Sequence, residues 1–342
     1  MSLIKVKSRG TDNVTGRKNL VINGAMQVAQ RGDQTGLTNA YTGVDRFKFL
    51  SNGGSVATGK QGGSGVSTPA NGFPNSVHID VTTADTSVGA GDYALIRQLI
   101  EGRNVQHLKY GTSSAETVTL SFWVKSPKTG VHWVEIFTFD SSKFNSASYT
   151  VSSANTWEKK TVSFIGETTA AIVDDNTAGM LVQWFLMAGS NYTSGTHPGN
   201  TWNTTDANRL PGQVNVMDST SNNFYLTGVQ LEVGDSASDF EHRSIGEELS
   251  LCRRYYQINY ASWYGVAQAT GYFVSSNITY VPPVRANPTV AQQSFDGSGS
   301  GGRFTSTGAT SSTITGTNIY SSPTSAGGNS GYVATWSADA EL

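Results

Sequence analysis

Short segments in which apolar and polar side chains alternate recur along most of this chain, and each is bounded by glycine, proline, asparagine or serine. Three examples are SVHIDVTT at 76–83, VTLSFWVK at 118–125 and VHWVEIFTF at 131–139. Alternation with a period of two places side chains on the two faces of a strand. The 342 residues include 38 glycines and only 14% charged residues, which is typical of strands joined by tight turns. The sequence therefore predicts an all-β fold, with length enough for two domains.

The first of these domains is predicted at 21–244 as a β-sandwich of the jelly-roll kind. Its predicted strands are 19–31 (broken by a turn at Asn23 and Gly24), 44–50, 76–83, 92–100, 118–125, 131–139, 158–165, 180–187 and 223–233. We expect 118–125 and 131–139 to form a hairpin through the turn SPKTG. Val131, Trp133, Phe137 and Phe139 would share one face of its second strand, and His132 would point outward. The Gly/Ser-rich segment 53–72 is predicted to be a loop.

A helix is predicted at 245–257, where the alternation stops. Ser244 is a suitable N-cap, and Glu247 three residues later completes a capping box. Apolar side chains recur at helical spacing, and the face that they form consists of Ile245, Leu249, Cys252 and Tyr256. We expect this helix to connect the first sandwich to a second, small β-sandwich at 258–342, whose segments are again short and bounded by Gly, Pro or Asn.

Charge is distributed unevenly. The first 20 residues carry five cations against Asp12, whereas only five charged residues lie beyond position 258. The segment 1–20 is therefore predicted to be a basic attachment arm through Lys5, Lys7, Arg9, Arg17 and Lys18. A net charge of −2 gives no indication of a nucleic-acid partner, and no apolar run is long enough for membrane insertion.

Metal and cofactor chemistry have weak support in the sequence. Cys252 is the only cysteine, and the five histidines lack the spacing of a metal site, so no metal or cofactor is predicted. The run Asp174-Asp175-Asn176 could supply oxygen ligands to calcium. A solvated turn is the favoured interpretation of that run.

Three segments resemble parts of bacteriophage virion fibre proteins. NLVINGAMQVAQRG at 19–32 with VDRFKF at 44–49 is similar to the opening of a carbohydrate-binding-module-like jelly roll. FYLTGVQLEVGDSASDFEHRSIGEELSLCRRYYQ at 224–257 resembles the last strand and exit helix of that domain, and VRANPTV at 284–290 resembles a segment of the C-terminal β-domain that follows it. The resemblance implies a phage structural protein located in the virion and assembled as a homotrimer.

The favoured function within this class is a tail fibre or other host-adhesion fibre. It would bind a cell-surface glycan and other virion proteins, with 258–342 as its distal tip. A capsid decoration, head-fibre or cement protein is the first alternative. A polysaccharide depolymerase is the second, because Asp92, Glu135, Asp140 and the pair Asp174-Asp175 offer carboxylates. The chain lacks the long repetitive β-helix usual in phage depolymerases, so we predict no enzymatic activity.

Aromatic side chains are the candidates for glycan contact, because sugar C–H groups stack on aromatic rings. Trp202 lies in the polar segment HPGNTWNTTDANR of the first domain. Trp263, Tyr264 and Trp336 are the candidates in the second domain. The competing interpretation is that such aromatic residues fill the core or a subunit interface.

Overall fold

A computed structural model describes residues 18–63, 72–266, 273–297, 303–305, 307–325 and 327–342. The described residues up to position 233 contain twelve strands: β1 (Gln34–Leu37), β2 (Asn39–Tyr41), β3 (Lys48–Ser51), β4 (Val56–Gly62), β5 (Ser76–Thr83), β6 (Tyr93–Glu101), β7 (Val118–Lys125), β8 (Gly130–Thr138), β9 (Lys143–Val151), β10 (Glu158–Phe164), β11 (Ala178–Ala188) and β12 (Asn223–Val233). They form two six-stranded antiparallel sheets. Sheet 1 has the order β1-β4-β5-β12-β7-β10, and sheet 2 has the order β2-β3-β6-β11-β8-β9.

The two sheets pack face to face around one large apolar core, and together we call them the first sandwich. Phe122 of β7 and Trp184 of β11 are both fully buried and meet edge to face, with ring centroids 5.6 Å apart. Alternate residues of the strands supply the rest of this core, among them Ile79, Leu120, Val124, Val134 and Ile136. Period-two alternation thus puts apolar side chains between the sheets, as in other sandwiches.

The second sandwich is smaller. Its strands are β13 (Tyr256–Val266), β14 (Val274–Thr279), β15 (Thr289–Asp296), β16 (Gly308–Thr310), β17 (Gly316–Ser321) and β18 (Asn329–Asp339). Sheet 3 has the order β13-β18-β15, and sheet 4 has the order β14-β17-β16. The predicted all-β fold with a short helix is therefore confirmed. The domain boundaries stay a prediction, and most of the predicted arm at 1–20 lies outside the described residues.

The predicted hairpin between 118–125 and 131–139 is wrong. Both strands exist, but β7 pairs with β10 and β12 in sheet 1, whereas β8 pairs with β9 and β11 in sheet 2. The connection between them therefore crosses from one sheet to the other. His132 was expected to point outward, yet it is fully buried and stacks on Tyr149 with ring centroids 5.4 Å apart.

Two further segments differ from expectation. Residues 56–62 of the predicted loop form β4. Within this strand Gly59 leaves room for Leu37, whose Cδ1 would lie only 2.6 Å from a Cβ at that position. Residues 64–71 of that loop lie outside the described residues. Segment 19–31 contains no strand. The predicted turn at Asn23 is present, with φ of 61°. In place of backbone pairing with a neighbouring strand, the Asn19 side chain accepts hydrogen bonds from the amides of Val21 and Leu231, each at 3.0 Å.

Two short α-helices occur among the described residues, α1 (Ser190–Thr193) and α2 (Ile245–Arg253), and neither is long and apolar enough to span a membrane. Ser244 caps α2 as predicted, since its Oγ accepts from the Glu247 amide at 3.2 Å. The predicted buried face is only partly correct. Cys252 and Tyr256 are buried, but Ile245 is 58% exposed. Glu248 is also buried, and its carboxylate accepts from the Asn23 amide.

Cys252 provides a test of this helix packing. Burial raises the pKa of its thiol well above the usual range, so the reactive thiolate is scarce in the folded protein. We expect iodoacetamide at mildly alkaline pH to modify the native protein more than about 100-fold more slowly than the guanidinium-unfolded protein. Because this is the only cysteine, mass spectrometry of the intact chain reports its modification directly. Equal rates in both states would contradict the packing of α2.

Charged side chains connect the two sandwiches at a cluster that we call the joint, formed by Arg31, Arg46, Glu101, Arg254 and Glu341. Glu101 is fully buried and accepts from Arg254 Nε at 2.9 Å and Nη2 at 2.8 Å. Glu341, close to the end of the chain, contacts Arg46 and lies 3.3 Å from Arg31. Both carboxylates therefore hold cations across the boundary between the sandwiches.

Candidate functional site

The outer face of sheet 2 carries a row of polar side chains that crosses five strands. The strand register places Lys48 opposite Arg97, and Arg97 opposite Gln183. Gln183 is in turn opposite Glu135, and Glu135 is opposite Ser146. Side chains of directly opposed residues lie close together on one face of a sheet. The row is therefore a continuous polar band on a face that does not contribute to the main core.

Apolar rows flank this polar band on both sides. They follow from the same register: Leu50, Leu95 and Phe185 on one side, and Leu99, Leu181, Phe137 and Phe144 on the other. An open groove of about 320 Å³ lies over the centre of the face. Its floor and walls are formed by Tyr93, Leu95, Arg97, Phe137, Phe139, Leu181, Gln183, Phe185, Tyr192 and Arg209.

Aromatic rings stand at the two ends of the groove. Tyr93 and Tyr192 meet edge to face at one end, with centroids 5.9 Å apart. Phe137 and Phe139 do the same at the other end, at 5.2 Å. Leu99 and Phe137 are level with each other, because both lie opposite Leu181. Tyr93 is six residues from Leu99 along β6, so at the rise of a strand the two ends are about 20 Å apart. The groove is thus elongated along the strands.

The tyrosine end of the groove depends on the segment that follows β11. The Gly189 amide donates to the Asp92 carbonyl at 2.7 Å, and the Asn191 amide donates to the Ala90 carbonyl at 2.9 Å. A Cβ at Gly189 would lie only 2.0 Å from the Gly89 carbonyl oxygen, so a side chain would not fit at this close approach. These contacts hold α1, and with it Tyr192, over the start of β6.

A buried ion pair forms part of the groove floor. Arg209 donates to Glu135 through Nε at 2.9 Å and through Nη2 at 2.5 Å. Gln183 and Ser146 also donate to that carboxylate, at 2.7 and 2.8 Å. Burial alone would lower the pKa of Arg209, but the adjacent Glu135 carboxylate outweighs it and raises the pKa. Glu135 is thus fully occupied as an acceptor, and the pair orients Gln183 beneath the groove.

Arg97 differs from Arg209 in having no such partner. The described residues offer its guanidinium no ion pair, and its buried Nε has no hydrogen-bond acceptor. Burial lowers the pKa of Arg97. Lys48, directly opposite on β3, also has a lowered pKa, through burial and then through the charge of Arg97. Two like charges therefore lie side by side at one edge of the groove.

The aromatic residue predicted as a glycan contact in the first domain, Trp202, lies away from this groove. Its Nε1 donates to the Ile165 carbonyl at 2.8 Å, and its ring packs edge to face on Tyr110 with centroids 5.6 Å apart. The ring is partly buried against the main core. A glycan contact for Trp202 stays a prediction.

The candidates of the second domain separate into two groups. Trp263 and Tyr264 line a depression of about 300 Å³ on sheet 3. Tyr264 is 65% exposed, and its ring lies over Gly331 of the neighbouring strand, which has no side chain to displace it. Trp336 is 5% exposed because it shares the inner face of β18 with Tyr332, Ala334 and Ala338. This burial favours a core role, and a glycan contact for Trp336 stays a prediction.

Of the predicted attachment residues, Lys18 lies within the described part of the chain. Its Nζ donates to Ser238 Oγ at 2.5 Å and to the Asp239 carbonyl at 2.6 Å. It therefore holds the start of the described chain against the segment after β12. Lys5, Lys7, Arg9 and Arg17 lie outside the described residues, and the attachment role stays a prediction.

Three of the other carboxylates proposed from the sequence, Asp92, Asp140 and Asp175, each accept a hydrogen bond from a backbone amide. Asp92 accepts from the Gly89 amide at 2.8 Å, and Asp140 accepts from the Val173 amide at 3.0 Å. Asp175 accepts from the Thr177 amide at 2.8 Å, and Asn176 donates to the Arg285 carbonyl at 2.9 Å. Within the described ranges, no group of three or more His, Cys, Asp or Glu side chains is placed to hold a metal ion.

No family model and no curated protein matches the sequence. Solved structures with a similar arrangement include the enzymatically active domain of tailspike protein 4 of bacteriophage CBA120, with a TM-score of 0.35, 14% identity and coverage of 64% of this chain. The chain spans 22% of that tailspike chain's length. A family 11 carbohydrate-binding module of a cellulosomal cellulase of Clostridium thermocellum has a TM-score of 0.30 and 12% identity, over 62% of this chain and 98% of the module. The module TmCBM61, solved with β-1,4-galactotriose, has a TM-score of 0.31 and 9% identity, over 64% of this chain and 100% of the module.

Proposed function

We propose that this protein binds a glycan in the groove on the outer face of sheet 2 and does not cleave it. The observation that carries this proposal is the combination of aromatic rings at both ends of an open, elongated groove with a polar band across its floor. An extended sugar chain has apolar C–H faces and hydroxyl edges. It therefore complements a groove of this length that offers both rings and hydrogen-bonding groups.

Each part of the groove has a separate role in this proposal. Phe139, which is 37% exposed, and the half-buried Tyr192 stack on sugar rings. Gln183 and Arg97 donate hydrogen bonds to hydroxyl groups or other acceptors on the sugar. Glu135 and Arg209 act beneath them and keep Gln183 in position, so ligand binding would not require the floor to rearrange.

The composition of the groove supports binding without catalysis. Glycoside hydrolysis requires two carboxyl groups on opposite sides of the scissile bond. Among the described residues that line the groove, none is Asp or Glu. Glu135, immediately beneath, is fully buried and already accepts four hydrogen bonds. We therefore favour a binding role over a depolymerase.

The place of this activity in a larger assembly rests on the three segments that resemble phage fibre proteins. We propose a virion protein of the tail-fibre or host-adhesion type, assembled as a homotrimer. A capsid decoration or cement protein is the alternative. Immunogold electron microscopy of phage particles, with antibodies against this chain, tests the choice. Labelling at the tail supports the fibre role, and labelling confined to the head would favour the decoration role.

Replacing the rings at the ends of the groove should weaken glycan binding. A glycan array first identifies a binding oligosaccharide, and calorimetry then measures its affinity. We expect Phe139→Ala and Tyr192→Ala each to weaken binding about tenfold, because each variant removes a stacking surface worth roughly 1.4 kcal/mol.

Tyr260→Ala is the matched control, since Tyr260 is 75% exposed on sheet 3 and remote from the groove. It should leave the affinity unchanged. A loss of affinity in Tyr264→Ala, with the two groove variants binding normally, would move the site to sheet 3 and refute the groove.

A further inference from the structure

Arg97 and Lys48 form an unusual pair of neighbours in sheet 2. They are directly opposite each other on adjacent strands, an arrangement that is unfavourable for like charges. Both side chains are half-buried, so water screens their repulsion less than it would at an open surface. Such a pair lowers the stability of the sheet unless an anion lies between or above the two cations.

The surrounding acids do not supply that anion. Glu135 is two strands away from Arg97, and Arg209, Gln183 and Ser146 occupy it. The charge of Asp339 raises the pKa of Lys48, which opposes the lowering by burial and by Arg97. The Asp339 carboxylate, however, pairs with Arg31 at 3.4 Å. Tyr41 contacts Lys48 through its ring, with Nζ 5.6 Å from the centroid.

Three other arginines each pair with a carboxylate. Arg209 binds Glu135, Arg46 binds Glu341 and Arg254 binds Glu101. Arg97 instead lines an open groove and has no ion pair among the described residues. Its buried Nε also has no acceptor, a property that it shares with Arg46. A buried donor without an acceptor is costly. A guanidinium forms paired hydrogen bonds with carboxylate, sulfate or phosphate oxygens, which makes Arg97 suited to a ligand anion.

We propose, on the basis of the glycan-binding role above, that the groove selects an acidic saccharide whose anionic group binds Arg97, with Lys48 at its flank. The aromatic rings at the two ends of the groove hold the sugar chain along the strands. Arg97 and Lys48 determine which sugar unit lies above them, because that unit must carry the anionic group. The anion also removes the repulsion between the two cations, so binding of an acidic sugar should raise the melting temperature of the protein.

The test compares ligands that differ only in charge. Oligogalacturonate is titrated beside its methyl ester, and a sulfated oligosaccharide beside its desulfated form, into the full-length protein. In each pair that binds, we expect the acidic ligand to bind about 10- to 100-fold more tightly than its neutral form, because the neutral form leaves Arg97 without a charged partner. This preference should shrink as salt rises. The carboxylated and sulfated arms distinguish which anion the groove accepts.

Arg97→Gln should abolish the preference for the acidic ligand over its neutral form, and Lys48→Gln should reduce that preference. Lys159→Gln, an exposed site on β10 of the opposite sheet, removes the same charge and should change nothing. Equal affinity of the wild-type protein for the acidic and neutral members would overturn this inference and leave the glycan-binding proposal intact. Absence of binding to any glycan, acidic or neutral, would overturn both. A cooperative thermal transition like that of the wild-type protein, measured by circular dichroism, shows that Arg97→Gln is folded.

Discussion

Replacing Arg209 by alanine is expected to lower the free energy of unfolding by about 3–5 kcal/mol, because it leaves Glu135 buried without its cation. Glu135 is fully buried, and Arg209 supplies two of the four hydrogen bonds to its carboxylate. Arg209 also lies over the Phe144 ring, with Cζ 4.5 Å from the centroid. Urea unfolding followed by tryptophan fluorescence measures the loss. The same variant should bind glycan poorly, because Glu135, which positions Gln183, loses the two hydrogen bonds from Arg209.

The control for this prediction removes both charges together. Glu135→Gln with Arg209→Gln leaves no isolated charge in the interior, so the double variant should be more stable than Arg209→Ala. If Arg209→Ala costs less than about 1 kcal/mol, the value typical of exposed pairs, then the pair does not form the buried floor described here.

The second large effect is expected at the joint. Glu341→Ala should cost about 3–5 kcal/mol, because Arg46 and Arg31 lose the carboxylate that they share. The Arg46 side chain is 1% exposed and lies over the Tyr255 ring, with Cζ 3.5 Å from the centroid, so water cannot replace the lost partner. Thermal unfolding followed by circular dichroism measures the change.

Asp339→Asn is the matched control at this site. Asp339 is also a carboxylate bonded to Arg31, at 3.4 Å, but its side chain is 40% exposed. Its neutralisation should therefore cost less than about 1 kcal/mol. Equal losses in the two variants would show that burial of Glu341 is not what makes the joint strong.

The three segments that resemble phage fibre proteins meet at the joint. Arg31 and Arg46 come from the first segment, Arg254 and Tyr255 from the second, and Arg285 from the third. Arg285 donates to the Asn176 carbonyl at 2.7 Å and to the Glu341 carbonyl at 2.8 Å. The recognisable sequence thus describes how two sandwiches are connected. It does not describe the groove, and this explains why the resemblance indicates a class of protein without indicating a ligand.

Strand positions were predictable because apolar alternation is local. The predictions for 76–83 and 223–233 agree with β5 and β12 to the residue. The orientation of β8 was not predictable, because that strand is apolar on both faces. His132, Val134 and Ile136 point into the core, while Trp133 and Phe137 belong to the outer face. A strand that is apolar on both faces indicates that its outer face also contacts a further chain segment or a ligand. This property of β8 was the signal in the sequence that could have indicated the groove.

The polar band could not be derived from the sequence, because its members are distant along the chain. Glu135 and Arg209 are 74 residues apart, and Arg97 reaches Glu135 only through the strand order β6-β11-β8. Strand order is set by packing across the whole sandwich, which local periodicity does not contain. Trp202 was chosen for residue type and for its polar segment, and Trp336 for residue type. Neither lines the groove.

A crystal structure of the full-length protein with the oligosaccharide that binds it most tightly tests the central claim most directly. We expect the sugar chain to lie along the strands of sheet 2, between Tyr192 and Phe139 and above Arg97 and Gln183, with Glu135 and Arg209 still paired beneath. A sugar bound on sheet 3 beside Tyr264, with the sheet 2 groove empty at saturating ligand, would contradict the account.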